Sequence, residues 1–364
     1  MVTLEELETD PHAALAALRP VGWVVASRDL AMAVMRDPET FTVDDPRFST
    51  AQVVGPSMLS TDGAAHKVHR DPFESPFGLA ETRRRFIGVV EQTVDELVGA
   101  LQTPSSDLRR TVAGPLSVAV VAYSLGLPPA SASTVLDWYA AISDSVTGVS
   151  AGRPVTPEGA AAFARLHAHV ASGIESTDAL IAAAARAGLG VDDVVANAAV
   201  LMFGGIETTE GMITNALWHL LTHPDQLALV RADPSLLPNA IEESLRLEPA
   251  AAVVDRYATR DVELAGASIR RGDYVVVSLA GAGRDPAVFP SPDDFDVRRS
   301  NARRHLAFAS GPHICLGMHL TRLETLAAVD AVLRLPGLRL APGSPPPRGL
   351  VFRKSSALNV VWDA

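Results

Sequence analysis

The chain contains a single cysteine, Cys315, and its neighbours could make the thiol chemically active. It lies in residues 308–317, FASGPHICLG, where Gly311 and Gly317 favour tight turns. An apolar helical pattern follows over residues 316–335. A cysteine at the start of a helix lies near unpaired N–H groups and the positive end of the helix dipole, which favour the thiolate. The alternative is an inert, buried packing residue, the usual role of an isolated cysteine.

A second pattern lies in residues 191–222, which predict a helix about 48 Å long. Gly204 and Gly205 interrupt its apolar middle and are followed by Glu207 and Thr208. Each interior glycine weakens a helix by about 1 kcal/mol relative to alanine. The Thr208 hydroxyl can also bond the carbonyl four residues back, which opens the helical ladder. A carboxylate and a hydroxyl beside such an opening could relay protons; the alternative is a tolerated kink with a solvated Glu207.

A third pattern is the pair Glu243 and Arg246, which share one face of a predicted helix that ends before Pro249. By itself, such a pair is usually a surface salt bridge that adds little stability.

The elements that must position these residues are mostly helical. Helices are expected at 4–18, 29–35, 81–125 (two segments divided by 103–107), 131–149 and 157–174, a long loop at 42–57, and strands at 21–25, 259–277 and 350–362. We therefore expect a mainly α fold with small β-sheets in one domain, residues 1–364. Its helix-rich core covers about 60–250 and 316–335, and its β-richer parts about 20–27, 259–280 and 350–362.

Composition narrows the class of protein. Hydrophobic residues make up 48% of the chain, enough for a large core, and the net charge of −11 argues against a nucleic-acid binder. A single cysteine cannot form an intramolecular disulfide, which favours a reducing compartment. The acidic N-terminus has no secretion-signal pattern, and no run of about 20 apolar residues predicts a membrane span. We expect a soluble cytoplasmic protein.

Taken together, these patterns resemble the cytochrome P-450 family, the haem-thiolate monooxygenases. Residues 308–317 match its haem loop (Phe-x-x-Gly-x-His-x-Cys-x-Gly), and residues 204–209, GGIETT, match its oxygen-binding helix. Glu243 and Arg246 match its Glu-x-x-Arg pair, and Arg299 stands where that pair's arginine partner usually lies. The resemblance is densest over 192–324. It implies the cytochrome P-450 fold, with haem between the long central helix and the helix after the cysteine loop.

The resemblance also implies the cofactor, haem b (iron protoporphyrin IX), with Cys315 as the thiolate ligand of the iron. Cationic side chains would pair with the haem propionates; these are His66, Arg70, Arg256 and His313. The other positions implied to contact haem are Phe308, Gly311, Gly317, Gly204 and Gly205. For His66 and His69 a metal site is the alternative, although no third ligand is evident nearby.

The resemblance further implies that Glu207 and Thr208 deliver protons during oxygen activation. It implies a structural role for Glu243, Arg246 and Arg299. Two positions depart from the family pattern: Ala309 replaces a usual glycine, and Gly283 a usual asparagine. The chain is also shorter than the usual bacterial member of this family, and we expect the missing length at the N-terminus and between 173 and 191, near the helices that cover the substrate site.

Substrate would touch the loop 53–59 and the segments 250–254 and 355–357, according to the resemblance. The individual contact residues would be Leu201, Gly205, Ala251, Val253, Val254 and Ser356. These are small or apolar, which favours a largely apolar small molecule. We expect its oxidation by O2, as hydroxylation, in bacterial natural-product biosynthesis.

Electrons would have to come from separate ferredoxin and ferredoxin reductase proteins, since no flavin or iron–sulfur region is evident. Arg303, Arg304 and Arg322 flank the haem loop and could form the docking patch; the alternative is an ordinary solvated face. We expect a monomer without membrane or nucleic-acid partners. The alternative function is a non-catalytic haem-thiolate protein that binds or recruits ligands in a biosynthetic assembly.

Overall fold

The computed structural model of the chain describes residues 23–126, 132–150, 153–173 and 180–363. The predicted helix at 4–18 and the first two residues of the strand predicted at 21–25 lie outside these ranges. Within them, the fold is mainly helical with small sheets, as the sequence predicts.

The helices of the described ranges are numbered in chain order. They are α1 Arg28–Arg36, α2 Ser49–Val54, α3 Gly63–Glu74, α4 Leu79–Gly99, α5 Gly114–Ser124, α6 Ala132–Ser150, α7 Pro157–Gly173, α8 Leu180–Arg186, α9 Val191–Thr222, α10 Pro224–Ala232, α11 Leu237–Leu247, α12 Leu279–Gly283 and α13 Met318–Leu333. A π-helical segment, Arg109–Ala113, leads directly into α5.

The strands are short. They are β1 Trp23–Val25, β2 Phe41–Thr42, β3 Ser105–Asp107, β4 Val253–Ala258, β5 Val262–Leu264, β6 Ala267–Ile269, β7 Tyr274–Ser278, β8 Arg339–Leu340 and β9 Asn359–Val361. One sheet has the order β1-β7-β4-β2, a second β3-β9-β8, and a third is the pair β5-β6. In the first, β1 is parallel to β7 and β4 antiparallel to it.

The described residues form two compact units. We call residues 23–41, 90–116 and 207–363 the sheet unit, and residues 42–89 and 117–206 the helical unit. The single domain expected from the sequence stays a prediction. Helix α9 contributes its first half, to Ile206, to the helical unit, and its second half, from Glu207, to the sheet unit.

Helix α9 has the bounds that the sequence predicts, Val191–Thr222, and Gly204 and Gly205 do not end it. Asp192 and Asp193 lie in its first turn, where negative charge favours the helix dipole. Burial along much of its length compensates for the two glycines, because packing contributes more to helix stability than intrinsic propensity does.

Three segments differ from the sequence prediction. The loop predicted at 42–57 contains α2, whose buried residues Thr50, Val53 and Val54 face one side and pack with α6 in the helical unit. The polar divider at 103–107 contains β3, which pairs with β9. Helix α8 lies between 173 and 191, where no element was predicted, and packs with α3. All three depend on partners distant in sequence.

Within the short-strand region predicted at 350–362, the structure has β9, preceded by two isolated bridges, Ala251 with Phe352 and Arg348 with Lys354. None of the helices in the described part of the chain is long and apolar enough to cross a membrane.

The most deeply buried ion pair of the sheet unit joins Glu243 to Arg246 on α11. Arg246 donates from Nε to Glu243 Oε2 at 2.7 Å, and both side chains are 0% exposed. Arg299 Nε donates to Glu243 Oε1 at 2.8 Å. This geometry excludes the surface salt bridge that the pair alone would suggest.

The same arginines hold the loop before the cysteine segment. Arg246 donates to the carbonyls of Gly283, Pro292 and Asp294, and Arg299 to those of Pro290, Ser291 and Asp294. Gly283 is required here, because a β-carbon would lie 2.1 Å from the Arg246 carbonyl oxygen. The departure from the family pattern at Gly283 thus coincides with a close backbone approach.

Replacement of Glu243 by alanine should destabilise the protein by about 3–5 kcal/mol, because it leaves two buried guanidinium groups without their carboxylate. Urea unfolding at pH 7 measures the loss. The control is Glu81→Ala, which removes the carboxylate of an exposed Glu–Arg pair with the same i,i+3 spacing and should leave the unfolding midpoint close to wild type. Equal losses of stability in Glu243→Ala and Glu81→Ala would show that burial does not determine how much the ion pair contributes to stability.

Candidate active site

The loop 308–317 is fixed by its own backbone and by packing on α1. The Cys315 N–H donates to the Phe308 carbonyl at 2.8 Å and closes the loop. Gly311 has φ +75°, and a β-carbon there would lie 2.4 Å from the Met35 carbonyl oxygen. Only glycine therefore allows the loop to approach α1 so closely.

The Cys315 side chain is exposed, so the alternative of a buried packing residue is wrong. Helix α13 begins at Met318, with Gly317 as its N-cap, slightly later than the pattern from residue 316 predicts. The thiol still precedes the first turn of α13, where the helix dipole is positive. A thiol that is accessible while its backbone is fixed can act as a ligand.

Ala309 occupies the left-handed backbone region, with φ +58°. Left-handed geometry costs a non-glycine residue roughly 1–2 kcal/mol. The alanine in place of the usual glycine is therefore accommodated with local strain.

Sequence reasoning missed the residue that connects α11 to the cysteine loop, Glu242. Its buried carboxylate accepts hydrogen bonds from His305 Nε2 at 2.9 Å and from Arg322 Nε at 2.6 Å. Burial raises the pKa of Glu242, but these hydrogen bonds and the charge of Arg322 outweigh it and lower the pKa to about 2. Arg322 also stacks 4.4 Å from the ring centroid of Phe308, the first residue of the loop.

The three arginines of the predicted docking patch, Arg303, Arg304 and Arg322, differ in their surroundings. Arg322 is largely engaged by Glu242 and Phe308. Arg303 is mostly exposed, 4.0 Å from Glu242, and Arg304 is exposed as well.

The sequence contains one signal for the role of Glu242, which is a second glutamate directly beside Glu243. Helix α11 buries every residue from Ile241 to Leu247, so both carboxylates need partners.

The two glycines of α9 have different surroundings. A β-carbon at Gly205 would lie 2.6 Å from Val121 Cγ2, so this glycine allows close packing within the helical unit. A β-carbon at Gly204 would have no atom within 4 Å. The surface of α9 is therefore open at Gly204 and closed at Gly205.

The predicted relay residues lie on the next turn of α9, in the sheet unit. Glu207 is not solvated: its Oε1 lies 2.7 Å from Lys354 Nζ, and its side chain is 17% exposed. Glu210 also pairs with Lys354. Thr208 is half-buried beside Glu207, and the Thr209 hydroxyl is 3.3 Å from that of Thr321 on α13. No sequence pattern indicates Lys354 as a partner of Glu207.

The cations predicted to pair with propionates are distributed over both units. His66 and Arg70 are buried on one face of α3 in the helical unit, where Arg70 Nε donates to Glu74 at 2.9 Å. Arg256 is buried on β4, and His313 is half-buried in a turn of the cysteine loop; both belong to the sheet unit.

The alternative metal site at His66 and His69 has no support in the described residues, which hold no cluster of three or more histidine, cysteine or acidic side chains suited to a metal. His69 Nδ1 instead lies 2.9 Å from the side-chain amide of Asn197 on α9. His69 thus has a packing role in the helical unit.

The residues and segments predicted to touch substrate lie in four parts of the chain. Val253 and Val254 are half-buried at the start of β4, Ala251 is half-buried just before it, and Ser356 is exposed. Leu201 is half-buried on α9 in the helical unit. The segment 53–59 is not a continuous loop as predicted, because its first two residues end α2 and are buried.

Comparison with known proteins identifies the class. The family model for Cytochrome P450 matches residues 170–351. The chain is 34% identical to 20-oxo-5-O-mycaminosyltylactone 23-monooxygenase of Streptomyces fradiae, over 91% of this chain and 83% of that protein. It is 32% identical to cytochrome P450 monooxygenase PikC of Streptomyces venezuelae, over 98% and 92%. The crystal structure of CalO2 superimposes with a TM-score of 0.89 at 31% identity, covering 98% of this chain and 97% of that one.

The chain therefore belongs to the cytochrome P450 family, as the sequence motifs predict. It is a monooxygenase, an oxidoreductase of the haem-iron class that uses O2 and a small-molecule substrate.

Replacement of Glu242 by glutamine should reduce the free energy of unfolding at pH 7 by on the order of 3 kcal/mol. This is the free energy that corresponds to the lowering of the Glu242 pKa from 4.5 to about 2 on folding. The carboxylate's contribution is complete above its unfolded pKa near 4.5 and is lost as pH falls toward 2. Urea unfolding should therefore give a gap between wild type and Glu242→Gln that narrows by about half at pH 3.5.

The control for this measurement is Glu91→Gln on the exposed face of α4, which should give similar midpoints at both pH values. A Glu242→Gln gap that is independent of pH would contradict the assigned role of the carboxylate charge.

Proposed function

We propose that Cys315 is the thiolate ligand of the iron of haem b. The observation that carries this proposal is the exposed thiol on a backbone fixed by Gly311 and by the Cys315–Phe308 hydrogen bond. A soft thiolate is a suitable donor for haem iron. The open surface at Gly204 supports a flat cofactor against α9.

Four cations would hold the haem propionates: His66, Arg70, Arg256 and His313. Three of them are buried, His66, Arg70 and Arg256. Buried cationic donors suit carboxylates that would otherwise be costly to remove from water. Gly205, by contrast, is proposed to act through helix packing on Val121 instead of cofactor contact.

Bound haem would supply the activation of O2, and the chain would supply protons and position the substrate. We propose Glu207 as the residue that takes up a proton and Thr208 as the hydroxyl that passes it on. Both are partly shielded from solvent and adjacent on α9, which supports a relay. Glu243, Arg246 and Arg299 would act structurally, through the buried network described above.

The proposed substrate is a largely apolar small molecule, and the proposed reaction is its hydroxylation in bacterial natural-product biosynthesis. The small and aliphatic side chains Leu201, Ala251, Val253 and Val254 support an apolar ligand, with Ser356 as a polar contact. One relative is named as a 23-monooxygenase of 20-oxo-5-O-mycaminosyltylactone, which supports this class of substrate. Optical difference spectra with candidate ligands would identify the binders, because displacement of a ligand of the iron shifts the Soret band.

Electrons are proposed to come from a ferredoxin and its reductase. Arg303 and Arg304, exposed before the cysteine loop, support a docking site for an acidic partner. The alternative of a non-catalytic haem-thiolate protein shares the cysteine loop but has no use for a proton relay. The presence of both Glu207 and Thr208 therefore supports the enzyme.

Replacement of Thr208 by alanine should uncouple O2 reduction from oxidation of a ligand that shifts the Soret band, with hydrogen peroxide formed in place of product. The loss of one relay hydroxyl should lower product formation by about 100-fold. The control is Thr209→Ala, which removes the neighbouring hydroxyl, one engaged with Thr321, and should leave coupling near wild type. Unchanged coupling in Thr208→Ala would exclude Thr208 from the relay.

A further inference from the structure

Lys354 connects the C-terminal segment to the turn of α9 that carries the proposed relay. Its ammonium lies 2.7 Å from Glu207 Oε1 and also contacts Glu210 Oε2. The three side chains are 13%, 17% and 10% exposed, respectively, so the pairing is only weakly screened by solvent. Such pairs are more strongly coupled than those on the surface.

Glu210 provides a fixed anchor for this lysine. Arg109 Nε lies 3.0 Å from Glu210 Oε1, and Arg109 also donates to the Ser356 carbonyl at 3.0 Å. Glu210 therefore has two cationic partners, and the four charged groups of this cluster, Glu207, Glu210, Lys354 and Arg109, sum to zero.

The backbone at Lys354 is held as well. The preceding residue, Arg353, is buried, pairs with Glu248 at 2.6 Å, and donates its N–H to the Ala250 carbonyl at 2.9 Å. Lys354 itself forms a backbone bridge with Arg348. Gly211 permits this close approach, because a β-carbon there would lie 2.8 Å from Ala250 Cβ and 3.6 Å from Lys354 Cβ. Only the flexible stem of the lysine is left to adjust.

The spacing of the two glutamates favours a shared cation. Glu207 and Glu210 are three residues apart on one face of α9, so their charges repel each other. Removal of Lys354 would leave this repulsion between Glu207 and Glu210 without the cation that the two carboxylates share. With it, the Glu207 carboxylate is held at a defined position next to Thr208.

We propose that Lys354 is a positioning residue of the proton relay: anchored on Glu210, it holds the Glu207 carboxylate in place beside Thr208. It transfers no proton itself and acts through Glu207. The inference thus rests on the proposed relay role of Glu207.

The test measures product formed per O2 consumed, with a ligand that shifts the Soret band, in Lys354→Met and Lys354→Arg. Lys354→Met should lower this ratio about tenfold, the effect of one lost charge-assisted contact, with ligand affinity changed less than about twofold. Lys354→Arg, which keeps a positive charge at this position, should retain most of the wild-type ratio of product to O2.

A matched control separates positioning from stability. Arg109→Met removes a cation from the same cluster whose polar contacts go to Glu210 and to the Ser356 carbonyl. It should lower the thermal unfolding temperature about as much as Lys354→Met but lower product per O2 much less, because Arg109 acts on Glu207 only through Glu210. Equal loss of coupling in both variants would reduce Lys354 to a structural role and overturn the inference.

A double substitution shows whether Lys354 acts through Glu207. Glu207→Gln alone should uncouple the enzyme, and Lys354→Met should add no further loss in that background. Additive losses would overturn the inference while leaving the relay intact. Normal coupling in Glu207→Gln would overturn the relay itself, and the inference with it.

Discussion

Two adjacent carboxylates buried in α11 need cationic partners, and much of the sheet unit around the cysteine loop depends on this requirement. Glu243 is neutralised by Arg246 and Arg299, which in turn bind the carbonyls of the loop that precedes the cysteine segment. Glu242 is paired with Arg322 and His305, on either side of that segment. Because unpaired buried charges are costly, these contacts fix where the loop can lie.

The consequence is an accessible thiol on a fixed backbone. Gly311 lets the loop pack against α1, and Arg322 covers the ring of Phe308. The loop tolerates one strained residue, Ala309, because the surrounding contacts determine its backbone. Cys315 can then be presented at the surface without conformational freedom, which a metal ligand requires. The second half of α9 follows the same principle, since Glu207 and Glu210 share the cation of Lys354.

The sequence predicts the features that depend on neighbouring residues. The bounds of α9 follow from its acidic first turn and the apolar run, and the cysteine loop follows from its glycines and its family motif. The partners of the charged residues could not be predicted, because they lie far apart in the chain. Lys354 and Glu210 are 144 residues apart, and Arg322 and Glu242 are 80 apart.

Short elements were missed for the same reason. Helix α2 has six residues, too few to form without its packing partner α6, and β3 exists only through its pairing with β9. The positive φ of Ala309 is likewise invisible to a residue pattern, because alanine rarely adopts it. Family resemblance supplied the roles of residues such as Arg299, which local chemistry alone would leave as a surface arginine.

The assignment of Cys315 as the iron ligand is tested most directly by the optical spectrum of the reduced protein with carbon monoxide. The wild type should show the red-shifted Soret band of a thiolate-ligated haem, and Cys315→Ser should lose it, since the chain has no other cysteine. A wild-type complex without that band, or a Cys315→Ser variant that retains it, would show that Cys315 is not the ligand.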